Sequence, residues 1–300
     1  MMTTYDCLNL VFRSSKKIDF DDTSKFIFLS DCHRGDNSWA DDFSKNKPLF
    51  IAALQYYYHQ GFTYIEVGDG DDLWENRWFS SITKAHREVF SLLKKFHSEN
   101  RFYMVFGNHD IFKKCKRYVR KNLHGKADSL HSRGQPQFDQ LEVHEGLLLS
   151  HRDRPESILV FHGHQGDLFN DHLWRFSKFM VKYVWRHLEL MGIKNFLSPA
   201  KNFSRKKIVE GRIRRWIKTK QQLVITGHTH KAAFASPGNL PYFNTGSCIE
   251  NNKITGIEIE DGSILLVQWS RSEGTGSKQE FERKVISGPE KLSSFGKQEV

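Results

Sequence analysis

The chain has 300 residues, 38% of them hydrophobic and 27% charged, and carries a formal net charge of +10. That length buries a large core, as one domain or a domain with an insertion, and the composition excludes disordered and collagen-like classes. No apolar run is long enough to span a bilayer, and no basic N-terminal region precedes an apolar core, so a cytoplasmic protein is expected. The cysteines, Cys7, Cys32, Cys115 and Cys248, have neither zinc-type pairing nor the density of a disulfide framework, and read as free thiols. The positive charge is local. From His172 to Lys220 there are 14 Lys and Arg against 2 Glu, which calls for an anionic partner or a solvated face.

In chain order, Lys25–Ser30 reads as an apolar strand running into Asp31-Cys32-His33. Pro48 to Gln60 reads as a helix, with proline in its first turn and Gly61 just past its end. Phe62–Val67, rich in β-branched and aromatic residues, is a strand delivering the acidic loop Gly68-Asp-Gly-Asp-Asp-Leu-Trp-Glu75. Thr83 to Glu99 is an amphipathic helix, with Val89, Leu92, Leu93 and Phe96 at helical spacing. A third strand, Arg101–Phe106, delivers Gly107-Asn108-His109-Asp110, and Phe112 to Leu123 is a basic helix. This alternation marks α/β layering.

Phe138–Val143, Gly146–Ser150 and Ser157–Phe161 read as consecutive strands, the last entering His162-Gly-His-Gln-Gly-Asp167. A helical insertion from Asp171 to Lys220 follows, then a strand, Gln222–Thr226, that delivers Gly227-His-Thr-His230. Pro241–Cys248 and Lys253–Trp269 form a β-rich end with a hairpin turn at Asp261-Gly262. Beyond Arg271 the Gly, Ser and Lys content reads as a loose tail. The expected organisation is a domain over 25–270, an insertion within it over 171–220, and a tail over 271–300.

Five strand ends thus carry polar groups: Asp31 and His33, Asp69 with Asp72, Asn108 and His109, His162, and His228 with His230. Residues two apart on an extended segment point the same way, so each Asp-x-His or His-x-His pair can reach one ion, while Cys32 points away and packs. Mixed His, Asp and Asn donors suit divalent Mn, Fe, Zn or Co. Seven such donors exceed the needs of one tetrahedral site and suit two adjacent ions sharing a carboxylate. One piece alone is weak; all five, in order and at strand ends, point to metal.

The ordered set, Asp31-Cys-His33, Gly68-Asp-Gly-Asp-Asp72, Gly107-Asn-His-Asp110, His162-Gly-His-Gln-Gly-Asp167 and Gly227-His-Thr-His230, resembles the calcineurin-like metallophosphoesterase superfamily over about residues 25 to 270. The resemblance implies an α/β fold in which a two-sheet β-sandwich is flanked by helices, with a helical cap insertion. It implies two divalent metal ions, manganese first, with Fe, Zn or Co as alternatives. Asp31, His33 and His230 would hold one ion and Asn108, His162 and His228 the other, with Asp69 bridging. His109 would be the acid at the leaving oxygen, and Asp72 and Asp110 would orient the site. The implied reaction is in-line attack on the phosphorus of a phosphoester or pyrophosphate by hydroxide formed between the ions.

Within that superfamily, the phrase from Gly68 to Glu75 and the insertion are similar to the UDP-2,3-diacylglucosamine hydrolases of lipid A synthesis, whose helical cap holds acyl chains. Leu173, Phe176, Met180, Val184, Leu188 and Met191 form one helical stripe, and Val209, Ile213, Trp216 and Ile217 a face on a second helix, ringed by Arg212, Arg214, Arg215 and Lys218. Such basic, aromatic helices admit lipid tails or rest on an anionic membrane, here its inner face. The chain has His109 where that branch commonly has Arg, and His164 where it has Asp. His164 then faces substrate or supports a ligand, and Arg34 meets a phosphate or pairs with a nearby Asp. The expected partners are an anionic phosphoester substrate and peripheral membrane lipid. The alternative is a phosphodiesterase or nuclease acting on nucleic acid or cyclic nucleotides, which the hydrophobic stripes among the bases disfavour. A dead scaffold is disfavoured because all seven ligand positions and His109 hold competent residues.

Overall fold

The strand Phe26–Leu29 is buried at every position, and so is nearly all of Thr63–Val67, which demands cover on both faces of their sheet. The computed structural model describes residues 3–76, 78–124, 138–166, 199–272 and 280–295, and over 199–206 the backbone alone. In chain order the first half comprises α1 (Thr4–Ser14), β1 (Lys16–Phe20), β2 (Phe26–Leu29), α2 (Lys47–His59), β3 (Thr63–Val67), α3 (Phe79–Ala85), α4 (Arg87–Ser98), β4 (Phe102–Val105) and α5 (Lys116–Asn122). The second half adds β5 (Val143–His144), β6 (Gly146–His151), β7 (Ser157–Phe161), α6 (Pro199–Lys220), β8 (Leu223–Thr226), β9 (Tyr242–Asn244), β10 (Lys253–Glu260), β11 (Ser263–Arg271) and β12 (Phe281–Lys291).

Two sheets result, one ordered β1-β6-β7-β8-β9 and the other β12-β11-β10-β2-β3-β4-β5. Strand alternation sends Phe28, Ile65, Val67 and Val105 inward to meet Leu147, Leu149, Val160 and Ile225 of the facing sheet. The opposite faces of the same strands, with Ile27, Leu29, Tyr64 and Met104, are covered by α2 and α4 through Leu49, Leu54, Leu93 and Phe96. On the other side α1 and α6 cover Leu148, Leu159 and Val224 with Leu8, Val11, Val209, Ile213, Trp216 and Ile217. Each such buried side chain contributes about 1.5–3 kcal/mol. The fold is therefore the two-sheet α/β sandwich flanked by helices. Because β2, β3 and β4 run parallel, as do β7 and β8, their C-terminal ends open on one side of the sandwich.

Several boundaries differ from expectation. The domain starts before residue 25: a capping box between Thr3 and Asp6 starts α1, and β1 pairs in parallel with β6. The helix expected over Thr83 to Glu99 is two, broken at His86, whose ring is buried against Asp41 at 2.8 Å. The helix expected from Phe112 is a 3-10 turn, Ile111–Lys114, followed by α5. The expected strand Phe138–Val143 shrinks to Val143–His144. The loose tail is wrong over Phe281–Lys291, which pairs antiparallel with β11 as an edge strand. Its charge hides it in composition, but Arg283 supplies the cation that buried Glu258 needs, its Nε donating at 2.8 Å. The two-residue hairpin turn is present, with φ of 51° at Asp261 and 63° at Gly262. Of the insertion, the face of Val209, Ile213, Trp216 and Ile217 packs on the body; the stripe from Leu173 to Met191 lies outside the described residues. Among the described residues no helix is long and apolar enough to cross a membrane.

Candidate metal centre

Three of the five strand ends turn sharply where their polar residues stand. Asp31, His33, Asp69, His228 and His230 have φ between 48° and 68°, a left-handed conformation that costs a non-glycine residue about 1–3 kcal/mol. The turns are tied to one another: Asp31 N donates to Gly68 O at 3.1 Å, His33 N to Asp69 O at 2.9 Å, and Gly227 N to His162 O at 3.0 Å. Two glycines allow the close approach. A Cβ at Gly107 would stand 2.1 Å from Asp69 Oδ1, and one at Gly68 2.5 Å from the His162 ring.

The result is two clusters meeting at one carboxylate. Asp31, His33 and His230 form the first: His230 Nε2 lies 3.1 Å from Asp31 Oδ1 and 3.3 Å from His33 Nε2. Asp69, His162 and His228 form the second, with His162 Nε2 3.1 Å from Asp69 Oδ2. That same Oδ2 is 3.8 Å from His33 Nε2, so Asp69 stands between the clusters. His109 also gathers with His33 and Asp69.

These donors are oriented from behind. Asp31 Oδ2 accepts from the Ser30 hydroxyl and from His228 N–H at 2.9 Å, which leaves Oδ1 for the site. His162 Nδ1 donates to Val67 O at 2.8 Å, fixing the tautomer whose Nε2 lone pair faces inward. Three buried atoms, Asp31 Oδ1, Asn108 Oδ1 and His162 Nε2, have no hydrogen-bond partner, an arrangement that a metal ion would complete. The N and O donor set suits divalent Mn, Fe, Zn or Co. The residues fit two such ions.

The electrostatics agree. Burial works against ionising Asp31, but the charges of His230 and His162 hold its carboxyl well below the usual range. Asp69 is likewise depressed, burial being outweighed by His162 and His109. Burial lowers His33, yet the nearby carboxylates of Asp31 and Asp69 push it up to about 9. His162 also reaches about 9, through Asp69 and Asp31 against burial. His228 falls to about 3 under burial and the His162 charge. Without metal, protonated imidazoles balance these carboxylates.

His109 lies at the edge of the pair of clusters. Its N–H donates to Asp69 Oδ1 at 2.8 Å, its Nδ1 is 3.2 Å from Asp72 Oδ1, and its ring stacks on Trp74 at 4.2 Å between centroids. Asp72 also accepts the N–H groups of Trp74 and Glu75, which fixes the loop that carries the stack. Asp110 accepts Gly107 N–H at 2.7 Å and so shapes the turn bearing Asn108 and His109. His164 is buried, its ring 5.6 Å from that of His162, and burial with the His162 and His228 charges drives it well below its ordinary pKa.

Arg34 does not face a phosphate. It is wholly buried, with both terminal nitrogens on Glu66 at 2.7 and 2.9 Å and Nε on Asp71 Oδ1 at 2.7 Å. Lys113, also buried, meets Asp71 at 2.6 Å and Asp110 at 2.8 Å. Of the alternatives for Arg34, pairing with a nearby aspartate holds. The reason is Glu66: strand alternation turns it to the helix face, where only a cation can compensate it. Sequence reasoning assigned no role to Glu66, Asp71, Lys113, Ser30 or Trp74. For Glu66 the signal was an acid inside an apolar strand; the others had none before folding.

The model of the calcineurin-like phosphoesterase family matches residues 24–232. Among solved structures, Vps29 from Chaetomium thermophilum aligns with 89% of this chain and 97% of its own, at 8% identity and a TM-score of 0.40. No curated protein matches the sequence. With the family model covering more than half of the chain, and the ligand clusters standing where the strand ends meet, this chain belongs to the calcineurin-like phosphoesterases, dinuclear-metal-dependent hydrolases of phosphoric esters.

Proposed function

We propose that this hydrolase cleaves the diphosphate of a nucleotide-linked, acylated sugar resembling UDP-diacylglucosamine, working with manganese at the inner face of a membrane. The observation that carries this reading is where the insertion leaves and rejoins the body. It departs straight after the turn His164–Gly166, next to His162, and returns through α6 into β8 and His228. The sequence between two candidate ligands is thus the one in which apolar stripes alternate with lysine and arginine. On α6 the body-facing side is filled, while Lys207, Ile208, Arg215 and Lys218 are exposed.

When bound, two divalent cations supply Lewis-acid charge to the phosphoryl oxygens and lower the pKa of water. Asp31, His33 and His230 would hold one, and Asn108, His162 and His228 the other, with Asp69 placed to serve both. The chain's own contribution is to hold these donors before substrate arrives, through Ser30, Val67 O and the cross-linked turns. His109 serves as acid to the leaving oxygen. Asp72 holds its Nδ1, Trp74 fixes the plane of the ring, and Nε2 is left for the substrate.

The test is release of UMP from a UDP-linked diacylglucosamine by the manganese-loaded protein, beside hydrolysis of bis-p-nitrophenyl phosphate. Cleavage of the glycolipid far above the generic diester is expected. Activity on the diester alone would remove the lipid-linked substrate and leave the hydrolase.

A further inference from the structure

β1 and β5 end their respective sheets, and among the described residues no strand closes the gap between these two edges. α5 leans over it, leaving a cleft of about 570 Å³, within the range of small-ligand sites. Its walls carry four cations, Lys16, Lys114, Lys116 and Arg120, against one carboxylate, Glu142, which lies 3.9 Å from the His144 ring. Among the described residues no carboxylate pairs with Lys16, Lys116 or Arg120, and Lys114 reaches only Glu145, at 3.5 Å. Like charges gathered around a concavity repel one another unless an anion sits among them. Apolar surface also lines it, from half-buried Val143 and the edges of the core residues Val119 and Leu141.

The cleft shares no residue with the metal centre. Lys114 Nζ is 5.7 Å from the centre of the Phe106 ring, and the His164 ring is 6.1 Å from it, so Phe106 neighbours both sites. Lys113 also borders the cleft, but its charge is taken by Asp71 and Asp110.

We propose that this cleft is a second anion site, apart from the metal centre, that takes a nucleoside polyphosphate. The lysines and Arg120 meet the phosphate chain, and Val119, Leu141 and Val143 receive the apolar face of the base. A flat membrane has no use for a concavity of this size, and a strand of nucleic acid needs a groove continuing beyond it.

The experiment is calorimetric titration of the full chain with ATP in EDTA, which takes metal-centre binding out of the reading. Wild type and Asp69→Asn are expected to bind ATP alike, and adenosine is expected not to bind. Lys116→Glu with Arg120→Glu, both exposed positions, should weaken ATP at least about tenfold with an unchanged melting temperature. Lys16→Gln with Lys114→Gln should independently weaken it. Wild-type affinity in both double variants would overturn the proposal. So would loss of binding in Asp69→Asn, absence of ATP binding, or oligothymidine binding that exceeds ATP and grows with length.

Discussion

Replacing Arg34 by methionine separates two roles that a guanidinium beside a metal-ligand motif can have. The buried cluster holds two cations, Arg34 and Lys113, against three carboxylates, Glu66, Asp71 and Asp110. Removing Arg34 strips Glu66 of both its charged hydrogen bonds and Asp71 of one, at positions wholly buried from solvent. Breaking a buried pair from one side costs about 3–5 kcal/mol. For a chain of 300 residues, with an unfolding entropy of about 2.1 cal/mol/K per residue, that lowers the melting temperature by roughly 5–8 °C. Asp71, held at about 2 by Arg34 and Lys113 against burial, should then take up a proton more readily. The assay pairs denaturant unfolding with kinetics on a soluble diester at a temperature where the variant is folded. The structure requires a large stability loss with a nearly unchanged KM, and partial restoration in Arg34→Met with Glu66→Gln. A rise in KM with wild-type stability would refute the reasoning and return Arg34 to the substrate.

Three further outcomes follow from particular contacts. His109→Ala should lower turnover of an alkyl phosphodiester about 10²–10⁴-fold and of a nitrophenyl ester far less, since a good leaving group needs no acid; equal losses on both would contradict that role. His33 and His162, raised to about 9 without metal, stabilise the metal-free fold fully below their ordinary 6.5 and lose that contribution as pH rises through 9. Metal needs them neutral, so affinity should climb between pH 7 and 9 with about two protons released per chain at pH 7, measured by titration in buffers of different ionisation enthalpy; no release would contradict the assignment. Ending the chain after Ser272 removes Arg283 from buried Glu258 and bares the β11 edge. A loss of about 3–5 kcal/mol with aggregation is expected, and Glu258→Gln should recover part of it; an unchanged unfolding midpoint would count against β12.

The candidate ligands could be picked out because apolar strands end in polar residues, although at Asp31, His33, His228 and His230 the chain turns left-handed and does not stay extended. Asp31 with His33 and His228 with His230 are period-two pairs after apolar runs, and the parallel strands carry them to one side. The hairpin at Asp261-Gly262 was legible for a similar local reason, two residues that tolerate positive φ. Illegible features depend on partners remote in sequence. The bond of His86 to Asp41 breaks a helix whose apolar spacing runs on without interruption. Arg34 beside His33 looks like a phosphate contact until Glu66 is seen to share its side of the sheet. β12 carries charge at successive positions, Glu282, Arg283 and Lys284, and so on both faces, and only its pairing to β11 and the Arg283–Glu258 contact reveal a strand. The Trp74–His109 stack joins two loops that no spacing relates.

The most direct measurement is metal stoichiometry against activity. The purified chain, stripped and titrated with Mn²⁺, should bind two ions and gain phosphodiesterase activity only as the second is filled. Asp69→Asn should weaken both sites together, whereas His230→Ala should weaken one alone, because the carboxylate is shared and the imidazole is not. Full activity with fewer than two ions, or an Asp69→Asn protein that still fills both sites at wild-type affinity, would contradict a dinuclear centre built around Asp69.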